Sequence, residues 1–554
     1  MTNIYNRMKK IVSVVFLALS LQTGAVFAQN DFEIAKNVDI FINVLNELND
    51  KYADEISPGA LTQTAISAML KSLDPYTVYY PESIVEDARI FQSGDYGDID
   101  LSLKRVGTDL VITELTEDGP SAEAGLLVGD IILNVNGKTT DNRTPDDVKM
   151  SLKGQPGTTC KVEVFRKTDK TTHTFSVKRK KIKAPCVPYS GLIGDNVGYI
   201  KLSTFMETTT SKDVFEAFQK LKDEGMKYLI IDLRDNGGGL LTEAVNIVNM
   251  FVDKNLTIVE TKGKIAEMNN VYKTRNAPVD KDIPIVVLIN ENSASASEIL
   301  SGSLQDLDRA VIVGKKSFGK GLVQKVYPMD YNTSMKITVS KYYIPSGRCV
   351  QNIEYFGSDT TKGAFHIPDS LAVAYKTKNN RTVYDKGGVE PDVLVVEEEM
   401  PGILAALDDS YAIFDFATRY RSKHQTIASA DGFSVDDATF NEFLDFLEER
   451  DFKFESSVGE ACDNLADLAK EEKQYDELKG AIEELKRQIG LLKNSELRKH
   501  KAEISQHLAQ EIVSRYYFST GKLVNSLYND DNIKVAKSIL LDQTRYKKIL
   551  SPQK

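Results

Sequence analysis

The stretch Lys227-Tyr-Leu-Ile-Ile-Asp-Leu-Arg-Asp-Asn-Gly-Gly-Gly239 decides the fold of the middle of this 554-residue chain. It begins as a mainly apolar run with the length of a buried strand, and the glycine loop (residues 234–239) follows at once. A helical pattern then occupies residues 240–251, and a second apolar run, Ile285-Val-Val-Leu-Ile289, comes later. Strands that alternate with helices in this way predict an α/β domain.

The glycine loop is a candidate site for binding negative charge through backbone N–H groups. A nucleotide-phosphate loop would continue into Gly-Lys-Ser or Gly-Lys-Thr, and a dinucleotide site would carry a third, spaced glycine. The chain has neither pattern here, so nucleotide binding is disfavoured. The better use of these glycines is an oxyanion hole, with the amide of Gly238 as one donor and the amide of Ala296 as the other.

Ser295 lies just past the second strand, in Ser293-Ala-Ser-Ala-Ser-Glu298, and helical spacing begins directly after it. A serine at a strand-to-helix turn can expose its hydroxyl, while the helix N-terminus favours negative charge nearby. The same residues also fit a helix capping box, with serine at the N-cap and glutamate three positions later. Both interpretations stay open for this segment, and Ser293 and Ser297 are further candidate nucleophiles.

Lys320 lies twenty-five residues after Ser295, in the turn Ser317-Phe-Gly-Lys-Gly321. None of the five histidines falls in a turn of this kind. A hydrolase built here is therefore expected to use a lysine base, an accepted variant of the serine–histidine–aspartate arrangement. Such a lysine needs a pKa well below its usual value of about 10.4, which apolar neighbours such as Phe318 favour. Gln324 can hydrogen-bond the amine; the competing interpretation is a solvated loop lysine.

Residues 83–183 change to short alternating strands with turns between them. The runs at 109–114 and 160–166 are typical of strands, and Asn136-Gly137 is a tight-turn signal. Between the strands lies Gly119-Pro-Ser-Ala-Glu-Ala-Gly-Leu-Leu-Val-Gly-Asp130, which closely resembles the corresponding stretch of bacterial PDZ domains. We therefore predict a PDZ domain over this region.

The PDZ resemblance implies that a peptide is added as a strand at a sheet edge, with its terminal carboxylate held by loop amides. The loop would be 96–101, with Tyr96, Gly97 and Ile99 as candidate peptide-binding residues. PDZ domains usually carry a second glycine where this chain has Asp98 or Asp100. Two carboxylates disfavour an anionic chain end but leave strand addition intact, and a purely structural PDZ domain is the alternative.

The start of the chain is typical of a secretory signal. Basic residues precede an apolar run from Ile11 to about Leu21, and Ala25-Val-Phe-Ala28 then supplies the small residues of a cleavage site. We predict that residues 1–28 are cleaved rather than kept as a membrane anchor. The mature protein is then expected in the periplasm or another extracytoplasmic compartment.

Helical spacing characterises the segments on either side of the predicted PDZ and α/β domains. Residues 31–82 predict a helical segment, and residues 398–554 predict a mainly helical domain rich in Glu, Lys, Leu and Ala. Within this tail, Gly480 and Gly490 disfavour one continuous rod. The helical regions are candidate surfaces for a homo-oligomer or an adaptor.

Composition limits the partners and cofactors that we expect. A net charge of -11 argues against general affinity for nucleic acid or an anionic membrane surface. The four cysteines are widely scattered and form no Cys-x-x-Cys pair, so their spacing predicts neither a zinc site nor a redox motif. We therefore expect no metal and no cofactor.

Five stretches stand out together between residues 232 and 392. They are Asp232-Leu-Arg-Asp-Asn-Gly-Gly-Gly-Leu240, Ser293-Ala-Ser-Ala-Ser-Glu-Ile299, Gly314-Lys-Lys-Ser-Phe-Gly-Lys-Gly-Leu-Val-Gln324, Tyr343-Ile-Pro-Ser-Gly-Arg348 and Gly388-Val-Glu-Pro-Asp392. In this order they resemble the motifs of the carboxyl-terminal processing peptidases, tail-specific serine proteases with a PDZ domain. The resemblance covers roughly residues 35–395 and implies Ser295 as nucleophile, Lys320 as general base and Gln324 as the residue that orients the lysine. It does not account for residues after about 400.

The sequence thus predicts a multidomain α/β enzyme in which a PDZ domain precedes, or is inserted in, a serine–lysine protease domain at 184–397. The enzyme would be an endopeptidase that cleaves exported proteins near their C-termini through an acyl-enzyme. Its partners would be polypeptide substrates. One alternative is a penicillin-binding type of acyltransferase that uses the Ser-x-x-Lys pattern beginning at Ser317. The other is a non-catalytic PDZ adaptor.

Overall fold

The computed structural model shows a mixed α/β protein with helical segments at both ends. It describes residues 31–82, 97–182, 185–355, 365–366, 369–385, 387–396, 400–454 and 457–552. The predicted signal (1–28) and Tyr96 lie outside these residues. The chain divides into two compact units, the first formed by residues 1–82 and 326–336 and the second by 83–325 and 337–554.

The first unit confirms the predicted N-terminal helices. Helix α1 covers residues 31–51 and helix α2 covers Pro58–Lys71, followed by strand β1 (Val78–Tyr80). Ser57 caps α2 through its hydroxyl, which accepts a hydrogen bond from the Ala60 amide at 3.4 Å. The proline at the first helical position needs no amide partner there. Strand β1 pairs antiparallel with residues 334–336.

The PDZ domain is the first part of the second unit. Its six strands form one sheet in the order β2-β3-β4-β6-β7, with β5 paired to β4. The core includes Ile112, Val162 and Val164, which are fully buried because alternate residues of each strand point inward. The elements are β2 (Leu101–Val106), β3 (Asp109–Leu115), α3 (Pro120–Glu123), β4 (Ile131–Val135), β5 (Lys138–Thr139), α4 (Pro145–Leu152), β6 (Thr159–Arg166) and β7 (Thr171–Lys178).

The predicted protease domain is built on a six-stranded sheet in the order β21-β14-β13-β10-β9-β8. All neighbours are parallel except β8, which runs antiparallel to β9. The elements up to the second half of the domain are β8 (Tyr189–Leu192), β9 (Val197–Lys201), α5 (Thr210–Asp223), β10 (Tyr228–Asp232), α6 (Leu241–Asn249), β11 (Thr257–Gly263), β12 (Asn270–Lys273), β13 (Ile285–Ile289), α7 (Ala296–Asp306) and β14 (Val311–Gly314).

The strands between residues 322 and 394 range from two to eleven residues in length, and residues 326–336 belong to the first unit. These strands are β15 (Leu322–Met329), β16 (Thr333–Tyr343), β17 (Ile353–Glu354), β18 (Phe365–His366), β19 (Ala374–Lys376), β20 (Thr382–Tyr384) and β21 (Val393–Leu394). The last residues of β16 pair antiparallel with β11, with Tyr342 opposite Thr261. This pairing brings β16 to the region of the domain that holds the candidate active site.

The two faces of the sheet are covered by helices from different parts of the chain. Ile231 and Val287 pack on the face covered by α5, α6 and α7. Ile230 and Leu288 point to the opposite face, as the two-residue period of a strand requires. That second face is covered by the last helices of the tail, so residues far beyond position 397 complete the core of the protease domain.

The tail is mainly helical in its described part, as predicted. Its helices are α8 (Gly402–Asp409), α9 (Ala412–Lys423), α10 (Asp437–Glu449), α11 (Ser457–Glu471), α12 (Tyr475–Lys499), α13 (Lys501–Leu527), α14 (Asp531–Leu541) and α15 (Gln543–Ile549). The aromatic residues Phe416, Phe440 and Phe443 are fully buried in the core of the tail. Helix α12 continues through both Gly480 and Gly490, so neither glycine interrupts it.

Two further properties bear on the sequence analysis. All four cysteines have free thiols, and three of them are buried. Among the helices of the described segments, none is long and apolar enough to cross a membrane.

Candidate active site

Ser295 occupies the N-cap of α7, directly after the carboxyl end of β13. Its backbone has φ 56° and ψ -112°, a conformation that costs free energy for a residue with a side chain. Strain of this kind marks the sharp strand-to-helix turns that present nucleophilic serines at the top of an α/β sheet. The residue is half-buried, and it lies where the helix N-terminus stabilises negative charge.

Glu298, in the first turn of α7, joins the backbones of Ser295 and Lys320. Its Oε2 accepts the Ser295 amide at 2.9 Å and the Lys320 amide at 2.8 Å. Its Oε1 accepts the Ser317 hydroxyl at 2.6 Å and the Gly319 amide at 2.7 Å. The side chain is fully buried, and this burial raises the pKa of the carboxyl although the four hydrogen bonds oppose the rise.

The sequence pattern had offered Glu298 only as the second member of a capping box. That bond is present, because Glu298 accepts the amide of the N-cap residue. The same carboxylate also reaches the turn around Lys320, which no local pattern indicates. Capping of α7 and positioning of the lysine turn are therefore two effects of the Glu298 side chain.

Tyr342 on β16 makes a second connection between Ser295 and Lys320, which the sequence analysis missed. Its hydroxyl lies 2.7 Å from the carbonyl oxygen of Lys320 and 3.2 Å from that of Ser295. The ring is buried, with 1% of the residue exposed. Because the phenol has a single proton, its main bond is the shorter one to the Lys320 carbonyl, and the contact with the Ser295 carbonyl brings both carbonyls to the same hydroxyl. The only signal in the sequence was its place beside the Tyr343-Ile-Pro-Ser-Gly-Arg348 motif.

The glycine loop packs directly against the nucleophile. Gly238 has φ +95°, and a side chain there would place its Cβ 2.8 Å from both the Ala296 nitrogen and the Ser295 Cβ. Only glycine fits such a position. The loop therefore brings the two predicted oxyanion donors side by side. In this conformation the Gly238 amide donates to the Asn236 side-chain oxygen at 2.9 Å, so it can serve an oxyanion only after that bond breaks.

The neighbouring serines have other partners. The Ser293 hydroxyl donates to the Leu233 carbonyl at 2.8 Å, and the Ser297 hydroxyl donates to the Asn236 carbonyl at 2.8 Å. Both serines are fully buried. Their hydroxyls hold the glycine loop against α7, which argues against either one as the nucleophile.

Lys320 lies half-buried between two glycines that permit close packing. A Cβ on Gly319 would lie 2.5 Å from the Asn352 Cβ, and one on Gly321 would lie 2.9 Å from the Cys349 sulfur. Gln324 is also half-buried, and its amide nitrogen donates to the Thr338 hydroxyl at 3.2 Å. Backbone hydrogen bonds hold the turn on both sides of the lysine, because the Gly319 carbonyl accepts the Asn352 amide at 2.9 Å and the Gly321 carbonyl accepts the Tyr342 amide at 2.9 Å.

Ser317 is not placed to act as a nucleophile in this conformation. It is buried, its hydroxyl donates to Glu298, and its oxygen accepts the Val389 amide at 2.6 Å. The acyltransferase alternative needs an accessible hydroxyl here. The geometry gives Ser317 a structural role instead, since it ties Glu298 to the segment around Val389.

Asp232 and its partners hold the end of β10 at the point where the glycine loop begins. The carboxylate is buried at the end of β10 and accepts hydrogen bonds from the Tyr199 hydroxyl at 2.7 Å and the Arg234 guanidinium at 2.7 Å. Lys201 approaches it to 3.4 Å. Burial alone would raise the pKa of Asp232, but Arg234 and Lys201 outweigh that effect and lower it to about 2. The carboxylate therefore stays ionised between two cations.

The predicted peptide-binding loop of the PDZ domain has its amides engaged. The amide of Gly97 donates to the Gly154 carbonyl at 2.6 Å, and that of Asp98 donates to the Lys180 carbonyl at 2.9 Å. The Ile99 amide donates to the Asp98 carboxylate at 2.7 Å, and the Ile99 side chain is fully buried in the PDZ core. A terminal carboxylate can bind to these amides only if such bonds break.

No group of three or more His, Cys, Asp or Glu side chains is arranged to hold a metal ion within the residues that the structure describes. The chemical groups of the site are thus a hydroxyl, an amine, a buried carboxylate and backbone amides.

Comparisons with known proteins agree with this architecture. The profile of peptidase family S41 matches residues 196–361, and a PDZ domain profile matches residues 111–166. A third profile, described as the C-terminal helical domain of a probable PDZ-protease, matches residues 403–540. The helical tail, which the sequence resemblance did not explain, therefore corresponds to a domain found with PDZ-proteases.

Similar proteins include named proteases. The carboxy-terminal-processing protease of Bartonella bacilliformis is 32% identical over 350 residues, which is 62% of this chain and 79% of that protein. A probable CtpA-like serine protease of Staphylococcus aureus is 33% identical over 318 residues, or 57% of this chain and 62% of that protein. Among solved structures, the photosystem II D1 C-terminal processing protease is 26% identical, with a TM-score of 0.35, over 65% of this chain and 93% of that one.

The profile matches cover the domains that carry the site, and the similarity to the Bartonella protein extends over most of that protein's length. They confirm the resemblance that the five motifs indicated, and they confirm that the chain is an enzyme rather than a non-catalytic adaptor or a penicillin-binding acyltransferase. The chain belongs to the carboxy-terminal-processing proteases, serine peptidases of family S41.

Proposed function

We propose that this protease is an exported endopeptidase that cleaves other exported proteins near their C-termini with a Ser295–Lys320 dyad. The observation that carries the proposal is the double connection between the two residues. Their amides share one oxygen of Glu298, and their carbonyls share the hydroxyl of Tyr342. A fold that fixes a strained serine and a glycine-flanked lysine to each other through both backbone ends suits a catalytic pair.

The proposed reaction has two stages. The Ser295 hydroxyl attacks the scissile carbonyl while Lys320 takes its proton, and the lysine then returns this proton to the leaving amine. The amides of Ala296 and Gly238 stabilise the oxyanion, assisted by the N-terminus of α7. Water hydrolyses the acyl-enzyme in the second stage, with the lysine again as base, and Gln324 orients the lysine amine.

Three observations support the choice of substrate and compartment. The sequence begins with a pattern typical of a cleaved signal, which favours an extracytoplasmic location. A PDZ domain favours binding of polypeptide tails. The name of the similar Bartonella protein describes carboxy-terminal processing. An arriving peptide would break the hydrogen bonds that the Gly97, Asp98 and Ile99 amides now make, and its C-terminal tail would then bind to the PDZ domain through these amides.

The experiment compares variants of the purified full-length protein on an unstructured polypeptide substrate. Ser295→Ala and Lys320→Ala should each lower kcat by at least about a thousandfold, as loss of a dyad member does in serine proteases. Lys316→Ala is the matched control, since this half-buried lysine pairs only loosely with Glu390 at 3.5 Å. Cleavage by both dyad variants at the parent rate would overturn the assignment.

A second experiment tests the compartment. Cells that express the protein are fractionated, and the N-terminus of the purified product is sequenced. We expect the mature chain to begin after Ala28 and to appear outside the cytoplasm. An uncleaved N-terminus in the cytoplasmic fraction would contradict export.

A further inference from the structure

The end of the helical tail forms part of the protease domain. Ile533 and Ile539 on α14 pack on the sheet face that Ile230 and Leu288 present. The Tyr546 hydroxyl on α15 accepts the Ile285 amide at 3.0 Å. Loss of this cover would expose a fully apolar sheet face to water, so these helices and the sheet are expected to fold as one unit.

Asp530, at the start of α14, connects the tail to the glycine loop through an ion pair with Arg234. It is the N-cap of α14, where its Oδ1 accepts the Ile533 amide at 3.1 Å. Its Oδ2 accepts the Arg234 Nη1 at 2.6 Å. The two side chains are 18% and 15% exposed, so water screens their ion pair only in part.

Arg234 is the residue of the glycine loop that receives this contact. Its Nε and Nη2 bind Asp232, which leaves Nη1 to reach the tail. Its main chain is fixed as well, because its amide donates to Asp232 at 2.9 Å and its carbonyl accepts the Lys201 amine at 2.8 Å. The guanidinium therefore joins the end of β10 to the start of α14.

The glycine loop is hydrogen-bonded to the residues on both sides of the nucleophile. Two residues after Arg234, the Asn236 carbonyl accepts the Ala294 amide at 3.0 Å and the Ser297 hydroxyl at 2.8 Å. The Asn236 side chain holds the Gly238 amide. A shift of Arg234 would thus displace groups on both sides of Ser295 and one predicted oxyanion donor.

We propose that Asp530 is a positioning residue for the protease reaction: it anchors Arg234 and thereby sets the glycine loop that contributes to the oxyanion hole. This role rests on the proposed function, in which Ser295 is the nucleophile and the Gly238 amide faces the oxyanion. It gives the helical tail an indirect part in catalysis, because the anchor lies 133 residues beyond the predicted end of the protease domain at 397.

The test separates the ion pair from the helix cap. Asp530→Asn keeps a good capping oxygen for α14 but turns an amide NH₂ toward the guanidinium. Asp530→Glu keeps the negative charge but is a poor N-cap. If the ion pair positions the loop, kcat should fall about tenfold in the Asn variant with little change in KM, and the Glu variant should recover most of the rate.

Asp531→Asn is the control, because this neighbouring carboxylate is 69% exposed and pairs with Lys534 in its own helix. All rates are measured on folded enzyme below the melting transition of each variant. An Asn variant that matches the parent in kcat, together with a slower Glu variant, would make Asp530 only a cap and would overturn the proposal. The dyad is judged independently by Ser295→Ala, so failure of one assignment does not resemble failure of the other.

Discussion

Asp232, which precedes the glycine loop, and Glu298, which accepts the Ser295 amide, are two buried carboxylates that are held in opposite ways. Asp232 is 1% exposed and faces two cations, Arg234 and Lys201. Glu298 is fully buried and accepts four hydrogen bonds from uncharged donors. The pKa of Asp232 is lowered to about 2, whereas burial raises the pKa of Glu298.

The difference indicates two different tasks. Opposite charges hold a carboxylate strongly and compensate its loss of hydration, which suits a structural anchor. Four uncharged donors compensate less of that loss, but each donor bond has a direction, and two of the donors are the amides of Ser295 and Lys320. We infer that Asp232 acts mainly on the stability of the domain, and that Glu298 acts mainly on the geometry of the catalytic pair.

We expect the largest effect when the negative charge of Asp232 is removed, and the quantity affected is the free energy of unfolding. Asp232→Asn leaves Arg234 and Lys201 facing a neutral amide at a buried position. Breaking a buried ion pair typically costs 3 to 5 kcal/mol, and we expect about 3 kcal/mol here because both cations can turn toward water. Chemical unfolding of the variant measures this loss, and kcat of the folded fraction should change less.

Asp195→Asn serves as the control for Asp232, since Asp195 is 57% exposed and pairs with Lys537 on the surface. A free energy of unfolding for Asp232→Asn within about 0.5 kcal/mol of the parent would show that the cation cluster is not a structural anchor.

Glu298→Gln tests the other carboxylate and should show the reverse pattern. The amide retains one oxygen for two donors and turns its NH₂ either toward the amides of Ser295 and Lys320 or toward the Ser317 hydroxyl and the Gly319 amide, so the turn that holds Lys320 is displaced in both orientations. A displacement near 1 Å costs about 100-fold in rate, and we expect that loss in kcat with a smaller change in stability. Steady-state kinetics and thermal unfolding of the same preparation distinguish the two effects.

The matched control is Glu390→Gln, an exposed carboxylate near the same turn that pairs with Lys316. If Glu298→Gln unfolded more easily than Asp232→Asn and yet kept the parent kcat, the roles inferred for the two carboxylates would be reversed.

Tyr342→Phe tests whether the second connection between Ser295 and Lys320 also contributes to the geometry of the catalytic pair. The substitution keeps the buried ring and removes only the hydroxyl that bridges the carbonyls of Lys320 and Ser295. One uncharged hydrogen bond contributes about 0.5 to 1.5 kcal/mol, so we expect kcat to fall by about tenfold or less. Tyr343→Phe is the control, because its ring can keep the contact with the Lys262 amine, 4.6 Å from the centroid. Equal activity in both variants would remove Tyr342 from the catalytic geometry.

Local patterns in the sequence predicted much of this fold because the relevant signals are short-range. The strand-to-helix turn at Ser295, the glycine loop and the apolar strands are each encoded within about ten residues. The side-by-side position of Gly238 and Ala296 also followed, since loops after neighbouring strands meet at one edge of a sheet. The order of motifs added the identity of the family.

Long-range contacts account for what the sequence did not predict. Tyr342 is 47 residues from Ser295, and Asp530 is 296 residues from Arg234, so no periodic pattern relates them. The cover of the sheet by α14 and α15 has the same cause. Helix α12 shows a different limit: each interior glycine costs about 1 kcal/mol, and the strong helix formers around Gly480 and Gly490 outweigh that cost.

The smallest expected effect is a pair of opposite pH dependences. For Asp232, the folded pKa of about 2 lies below the unfolded value near 3.9, so its stabilising contribution is present above about pH 4 and is lost as pH falls toward 2. The stability difference between the parent and Asp232→Asn should therefore shrink by about 1 kcal/mol between pH 4 and pH 3.

For Glu298 the folded pKa is raised, so its contribution is present below the unfolded value near 4.3 and is lost as pH rises through the folded value. The difference between the parent and Glu298→Gln should then grow as pH falls. Unfolding curves of the three proteins from pH 7 to pH 3 measure both slopes, and slopes of the same sign would mean that the two carboxylates are not held in opposite ways.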